Sequence, residues 1–439
     1  MFRNDLSARL ARLHYKPIDV SFETLKIPFR SSNLPFMFSS LPLEIIYITL
    51  KFLPFKHVIK LAWVNKELRE IIQNMRLPNT VHFNQWTDEK LIYFVNNYKF
   101  LNFDLKFSKI TDKGLEAFNN YMVEGVSVDL QNCSVTDEGI KFLGNCHSVN
   151  VGYCNLITDK GIEYLGNCHT VDLTNCQSIT DNGLKVLSNC HIVNISYNRS
   201  ITDEGLKALS GCDTVIIMCC KSVTDEGLKS LMNCHTVDLS YCNSVTDKGI
   251  KYLVNCSSVS LSGCTLVTDE GAKALSRCYI VNLSNCKLIT DNGAKALAGC
   301  QSVNLSHCDL ITDEGAKALA GCHTVNLSQC KLITDEGAKA LGGCHTVNIS
   351  GCNLVTDNGI KNFRDCHTVI IDNCKLVTDF GIKALQKCQI INFSNCKQIT
   401  DEGIKALYKC YKVEFVLECC QANYKSVIFL KDHGCIVNC

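Results

Sequence analysis

Seven Cys-His dipeptides, at 146–147, 168–169, 190–191, 234–235, 322–323, 344–345 and 366–367, are the residues of this 439-residue chain best suited by type to chemistry. Cysteine beside histidine can hold zinc or supply an activated thiolate. A structural zinc site needs four ligands converging on one point, and nucleophilic catalysis needs one thiolate with an orienting group. Here the dipeptide recurs at multiples of 22 residues, and the histidine gives way to Asp213, Ser257, Tyr279 and Gln301 at intervening copies. A role copied seven times and dropped in between does not belong to a unique centre. No phosphate loop, paired-glycine nucleotide fingerprint or carboxylate pair in a unique setting accompanies it. No metal and no cofactor are expected, and the chain is not expected to be an enzyme.

The spacing itself points to the elements that carry these residues. From Thr136 to Thr400 a Thr-Asp dipeptide returns every 22 residues, in a unit that reads Cys-x-x-Val-Asn-Leu-Ser-x-Cys-x-x-Ile-Thr-Asp-Glu-Gly-x-Lys-x-Leu, as from Cys322 to Leu341. Thr111-Asp112 is a further copy, and Thr87-Asp88 reads as a decayed one. A period in the twenties means that each unit buries its apolar side against its neighbours, which makes a solenoid with one continuous core. Val171-Asp172-Leu173 alternates as a short strand with Val171 and Leu173 inward, and Thr170, Asp172 and Thr174 on the exposed face. Ile179 to Leu187 reads as a short helix with Thr180 or Asp181 as N-cap and Leu184 and Leu187 inward. Gly183 recurs in every such helix although glycine costs a helix interior about 1 kcal/mol relative to alanine. The expected reason is that a Cβ there would strike the adjacent coil.

Lysine plus arginine and aspartate plus glutamate nearly cancel, at 44 against 43. That balance leaves no broad basic footprint for nucleic acid or an anionic membrane. No stretch approaches the ~20 apolar residues of a membrane span. Met1 to Tyr15 carries Arg3, Arg9 and Arg12 among leucines at helical spacing, but Asp5 and the brevity of the segment argue against import. Of the thirty cysteines, 25 fall in two repeat columns, Cys146 to Cys410 and Cys133 to Cys396, with Asn198 substituting once in the second. In inward columns they read as small buried hydrophobes of a reducing compartment, and the expected setting is the cytoplasm or nucleus.

The units resemble the cysteine-containing subclass of leucine-rich repeats, carried by Cys-x-x-Val-x-Leu-x-x-Cys and Ile-Thr-Asp-x-Gly. The resemblance implies an α/β fold: about 14 repeats of 22 residues, a parallel sheet lining one face and short helices on the other. In that family the column of Cys176 and Asn198 is a buried donor bonding backbone of the neighbouring coil, and the single exchange of cysteine for asparagine agrees.

Ahead of the repeats, Leu41-Pro42-Leu43-Glu44-Ile45 opens an apolar helical pattern that ends at Leu53-Pro54, and Val58 and Leu61-Ala62-Trp63-Val64-Asn65-Lys66 follow at helical spacing. This resembles an F-box, an all-α module. Leu68 and His57 depart from it, where an aromatic and an acidic residue are frequent. An F-box before such repeats implies a substrate receptor of a Skp-cullin-F-box type ubiquitin ligase. The Skp adaptor would be held by Leu41, Pro42, Ile45, Leu53, Val58, Leu61 and Val64, and cullin would be engaged through it. The alternative is an interaction scaffold in which these helices only cap the solenoid. The expected division is 1–33 an N-terminal extension, 34–78 the F-box, 79–421 the repeats and 422–439 a C-terminal cap. In the last part, Val413 to Leu417 reads as a strand, Tyr424 to Leu430 as a helix and Ile436-Val437 as a closing strand.

A protein substrate would need anchors on a sheet whose exposed positions are mostly Asn, Asp, Ser or Thr. One unit departs from this pattern. Ile216 stands where its neighbours have Asn194 and Asp238, Met218 where they have Ser196 and Ser240, and Tyr197 and Tyr241 flank Cys219 in the next column. These residues are the substrate-binding candidates, with Ile192 at their edge, against a reading of drift at tolerant positions. Ile370 and Asp372 form a weaker second break.

Overall fold

The computed structural model describes residues 42–64, 66–82, 86–121, 123–416, 420–421 and 423–438. The chain divides after Ile72 into two compact units. The first is helical. Helix α1 (Leu43–Phe52) starts on Pro42, whose carbonyl accepts from the Ile45 and Ile46 amides. It ends where Leu53, ahead of Pro54, turns extended (ψ 142°) because the proline ring excludes the helical region for its predecessor. The Pro54 carbonyl then accepts from His57 and Val58 at the start of α2 (Phe55–Val64), and α3 (Lys66–Asn74) follows. Ile46, Leu50, Phe55, Val58, Ala62, Leu68 and Ile72 are the buried residues.

The second unit is one all-parallel sheet of seventeen strands among the described residues, from Arg76–His82 to Ile436–Asn438. In the periodic part each strand is three residues long and pairs in register with the next, as Val171 with Val149 on one side and Val193 on the other. The apolar partners of this column and the next, Val171 and Leu173 in one coil, are fully buried. Burying each such side chain stabilises by about 1.5–3 kcal/mol. Since every coil contributes the same set, the core is a continuous column.

Three repeated contacts join coil to coil outside the sheet. Cys154 Sγ lies 3.2 Å from the Leu130 carbonyl and Cys176 Sγ 3.1 Å from that of Val151. At the one exchange, Asn198 donates to Leu173 and Ile195 carbonyls, both at 2.9 Å, so the substitution keeps the bond. In the second contact Thr180 is the N-cap: its Oγ1 accepts from the Asn182 amide, while Asp181 turns away to the next coil and accepts from Thr202. The third is steric. A Cβ on Gly183 would lie against Asp159 Oδ1, well inside van der Waals contact, which explains the recurring glycine.

Thr87-Asp88 is a working copy and not a decayed one. Thr87 caps the helix Asp88–Asn97, and Asp88 accepts from the Thr111 amide and hydroxyl at 2.9 and 2.6 Å. At the other end Asp401 accepts from the Asn423 amide and from Ser426, so the closing helix Tyr424–Asp432 takes the place of a further coil. The last strands are Lys412–Glu414 and Ile436–Asn438. Leu417, the N-terminal extension and Leu41 lie outside the described residues.

Candidate interaction surfaces

The exposed face of the sheet is built from four side-chain columns. In the coil of Thr170–Asp172 they are His169, Thr170, Asp172 and Thr174. Polar strand residues bond both along their own coil and across to a neighbouring one: Asn194 Oδ1 accepts from the Ser196 amide and Asp238 Oδ1 from the Ser240 amide, while Asn194 Nδ2 donates to Asp172. Ile216 pairs in register between Asn194 and Asp238, is half-buried, and cannot make that bond. The Met218 amide is bonded by Ser196 Oγ of the preceding coil instead, at 3.1 Å.

The residue ending each strand turn, just before the buried Cys, adopts a left-handed conformation. This column includes Asn132, Asn175, Asn285, Asn373 and Asn395 at φ 56 to 62°, and Gly263 and Gly351 near 70°. Asparagine and glycine enter that region at little cost, whereas bulky side chains rarely do. Yet Tyr153, Tyr197 and Tyr241 occupy it at φ 61 to 63°, with 39%, 42% and 44% of their surface exposed. Tyr241 lies across Gly263, where a Cβ would stand 2.5 Å from its Cε1. Tyr197 reaches Cys219, and the hydrogen bond to that thiol holds the phenol above its ordinary range. The structure thus brings Tyr197, Ile216, Met218 and Tyr241 onto neighbouring coils of one face, and adds Tyr153, which sequence reasoning missed.

Six of the seven dipeptide histidines form two stacks, and His235 stands between Asp213 and Ser257. Ring centroids are 4.6 Å apart for His147 and His169 and 4.5 Å for His169 and His191, and a second stack joins His323, His345 and His367 at 4.3 and 4.5 Å. Desolvation first, and then the neighbouring imidazoles, hold His169 and His345 below the usual range. Their cysteine partners point the other way. Burial pushes the Cys146 and Cys168 thiols up to about 12. Among the described residues no cluster of His, Cys, Asp or Glu is placed to hold a metal ion.

A model of the F-box domain matches residues 38–80, and leucine-rich-repeat models match nine stretches between 147 and 407. This chain carries an F-box followed by leucine-rich repeats. The repeat matches skip 211–234 and 343–388, the coils that hold Ile216 and Met218 and those that hold Ile370 and Asp372, although the sheet runs through both.

No curated relative matches the chain. Among solved structures, a chain of the TLR13–ssRNA13 complex superposes with a TM-score of 0.53 at 14% identity, over 77% of this chain and 59% of that one. A chain of the Rad7 and Elc1 complex in yeast gives 0.48 at 15% identity, over 67% and 81%. A chain of the mouse RP105/MD-1 complex gives 0.46 at 12%, over 84% and 75%. At 14% identity the first of these is a likeness of fold alone.

Within the F-box the residues named from its motif differ in exposure. Pro42, Ile45 and Val64 are exposed, and Leu53 and Leu61 are half-buried. Val58 is fully buried and packs the interior of the helical unit. Sequence reasoning missed three exposed apolar residues: Ile48, one turn on from Ile45, Phe52, and Trp63, with 68% of its surface open. The spacing Ile45, Ile48, Phe52 against Ile46 and Leu50 was the available signal, because it gives α1 an apolar residue on both faces.

Proposed function

We propose that this chain is the substrate-recognition subunit of a cullin-RING ubiquitin ligase. Its F-box binds a Skp-type adaptor, its repeat sheet binds a protein substrate, and a separate catalytic module transfers ubiquitin. The observation that carries this reading is the F-box match directly ahead of the repeats, since F-box domains generally bind Skp-type adaptors. Ile45, Ile48, Trp63 and Val64 agree with it, because large apolar groups left open on a small helical unit mark a partner surface. In this reading the chain is not itself an enzyme, needs no cofactor, and works in the cytoplasm or nucleus of a eukaryotic cell.

Capture of a purified Skp-type adaptor by the full chain, followed by cullin, tests the assignment. Ile45→Asp with Val64→Asp should abolish capture at an unchanged melting temperature, because both side chains already face water. Leu41→Ala with Pro42→Ala should do the same. Adaptor capture that survives both pairs would leave the helices as a cap, and the chain as a scaffold without a ubiquitin role.

A further inference from the structure

The sheet face is acidic as well as aromatic. Across the four exposed columns from His147 to Ser394 there are four aspartates, Asp172, Asp213, Asp238 and Asp372, and no lysine or arginine. Cations enter these columns only at the ends, where Lys106 pairs with Asp104 and Asp129, and Lys412 with Glu414. Asp213 shares the coil of Ile216, Asp238 lies in the next and Asp172 two coils before it. Arg199 and Lys221 lie two residues past the left-handed column, where the chain has already left the sheet.

The tyrosines add a ruler. Tyr153, Tyr197 and Tyr241 sit on every second coil, and the backbone ladder between them is unbroken: Tyr153 donates to Thr174, Asn175 to Ser196, Tyr197 to Met218, Cys219 to Ser240 and Tyr241 to Ser262, all at 2.7 to 2.9 Å. At about 4.8 Å per coil, successive tyrosines stand about 10 Å apart. Three residues of chain in the extended polyproline II conformation, at about 3.1 Å each, span nearly the same length and bring every third side chain back to the same side. A cation over a tyrosine face is attracted by the ring, and a carboxylate beside it strengthens the hold.

We propose that this face recognises an extended, basic segment of a protein partner, laid along the solenoid axis with an arginine or lysine at every third residue over the tyrosine column. Asp172, Asp213 and Asp238 face its charges, and Ile216 and Met218 take the apolar residues between. The proposal rests on the substrate-receptor reading and names the chemistry of that substrate. It also accounts for the tyrosines in a conformation that asparagine would fill more easily, because backbone strain concentrates where a function holds it.

The test is fluorescence anisotropy on the full chain with three labelled twelve-residue peptides. One has Arg at every third position with Leu and Ser between. The second has the same residues with the arginines contiguous, and the third has Glu in place of Arg. The spaced arginine peptide should bind and weaken steeply with added salt. Asp213→Asn with Asp238→Asn, and separately Tyr197→Asn with Tyr241→Asn, should each weaken it at least tenfold. Equal binding of the glutamate or the contiguous peptide overturns the proposal, and that comparison needs no variant to fold. Undiminished binding by both variant pairs overturns it too, as does single-stranded RNA bound through the tyrosines with no dependence on the aspartates. Adaptor capture measured on the same preparation separates the two readings: peptide binding without capture removes the ligase role alone, and capture without peptide binding removes this one alone.

Discussion

Asp159 and Thr180, one coil apart, are joined by two hydrogen bonds: Oδ1 accepts from the Thr180 amide at 2.8 Å and Oδ2 from its hydroxyl at 2.6 Å. Thr180 Oγ1 in turn accepts from the Asn182 amide at 3.2 Å and so caps its own helix. Each aspartate thereby orders the helix start of the following coil. With Gly183 pressed on Asp159 Oδ1, the Thr-Asp-x-Gly motif is one device for stacking coils.

Asp159→Ala should therefore cost more than a surface substitution. It leaves the Thr180 amide and hydroxyl without their acceptor, at about 1–3 kcal/mol for each group that finds no water. Gly183→Ala should also destabilise, although alanine favours a helix by about 1 kcal/mol, because its Cβ meets Asp159. In the Asp159→Ala background the same glycine change should cost much less. Urea melts of the two single variants and the double check this, and additive losses would show that the contact is not the cause.

Buried thiols give a second measurement. Twenty-six of the described cysteines are buried, and Cys219 and Cys420 are not. Burial pushes thiols such as Cys242, Cys264 and Cys330 far above a free cysteine, the last two to about 12. Brief alkylation of the native protein at pH 8 should modify Cys219 and Cys420 while the two inward columns stay unlabelled. In denaturant nearly all 30 cysteines of the chain should react. Protected pairs after denaturation would indicate disulfides and overturn the reducing-compartment expectation.

The histidine stacks make stability depend on pH. His169 and His345 are held low by desolvation and by the imidazoles above and below, so the unfolded chain binds their protons more readily than the folded one. Stability should then be complete above the unfolded value near 6.5, and fall as pH drops below it towards the lowered folded values. NMR titration of His169 checks the cause. Replacing both neighbours, His147→Gln with His191→Gln, should move its midpoint up, and no movement would assign the shift to desolvation alone.

What could be read before the structure follows from which physics leaves a trace in spacing. Val171, Leu173 and Cys176 recur with the period, so their inward direction and the equivalence of Asn198 to cysteine were legible. The partner of Asp159 was not, because a carboxylate at a helix start serves its own helix or the next coil equally well by sequence. The left-handed column did leave a trace in Asn132, Asn175, Gly263 and Asn285, residues favoured at positive φ, but the tyrosines among them obscured it. In the F-box, burial was not legible, because a degenerate motif names apolar positions without saying which are open: Val58 is fully buried while Ile45 and Val64 are exposed.

The last expectation concerns Ile216 and Met218. In neighbouring coils an Asn or Asp side chain accepts from the amide two residues on, at 3.0 Å in Asn194 to Ser196 and 2.9 Å in Asp238 to Ser240. Ile216→Asn with Met218→Ser installs the same pair in a coil already in register with both. It removes half-buried apolar surface and offers the residue-218 amide an Asn Oδ1 in place of Ser196 Oγ, which already accepts from it at 3.1 Å, so no hydrogen bond is lost. The melting temperature should hold. If these side chains anchor a partner, binding should fall by about 2 kcal/mol for each, a scale typical of interface anchors. Calorimetry gives the first quantity and binding of the spaced arginine peptide the second. A variant that melts lower and binds as before would mean that Ile216 and Met218 serve the fold, and would leave partner recognition to the tyrosines and aspartates around them.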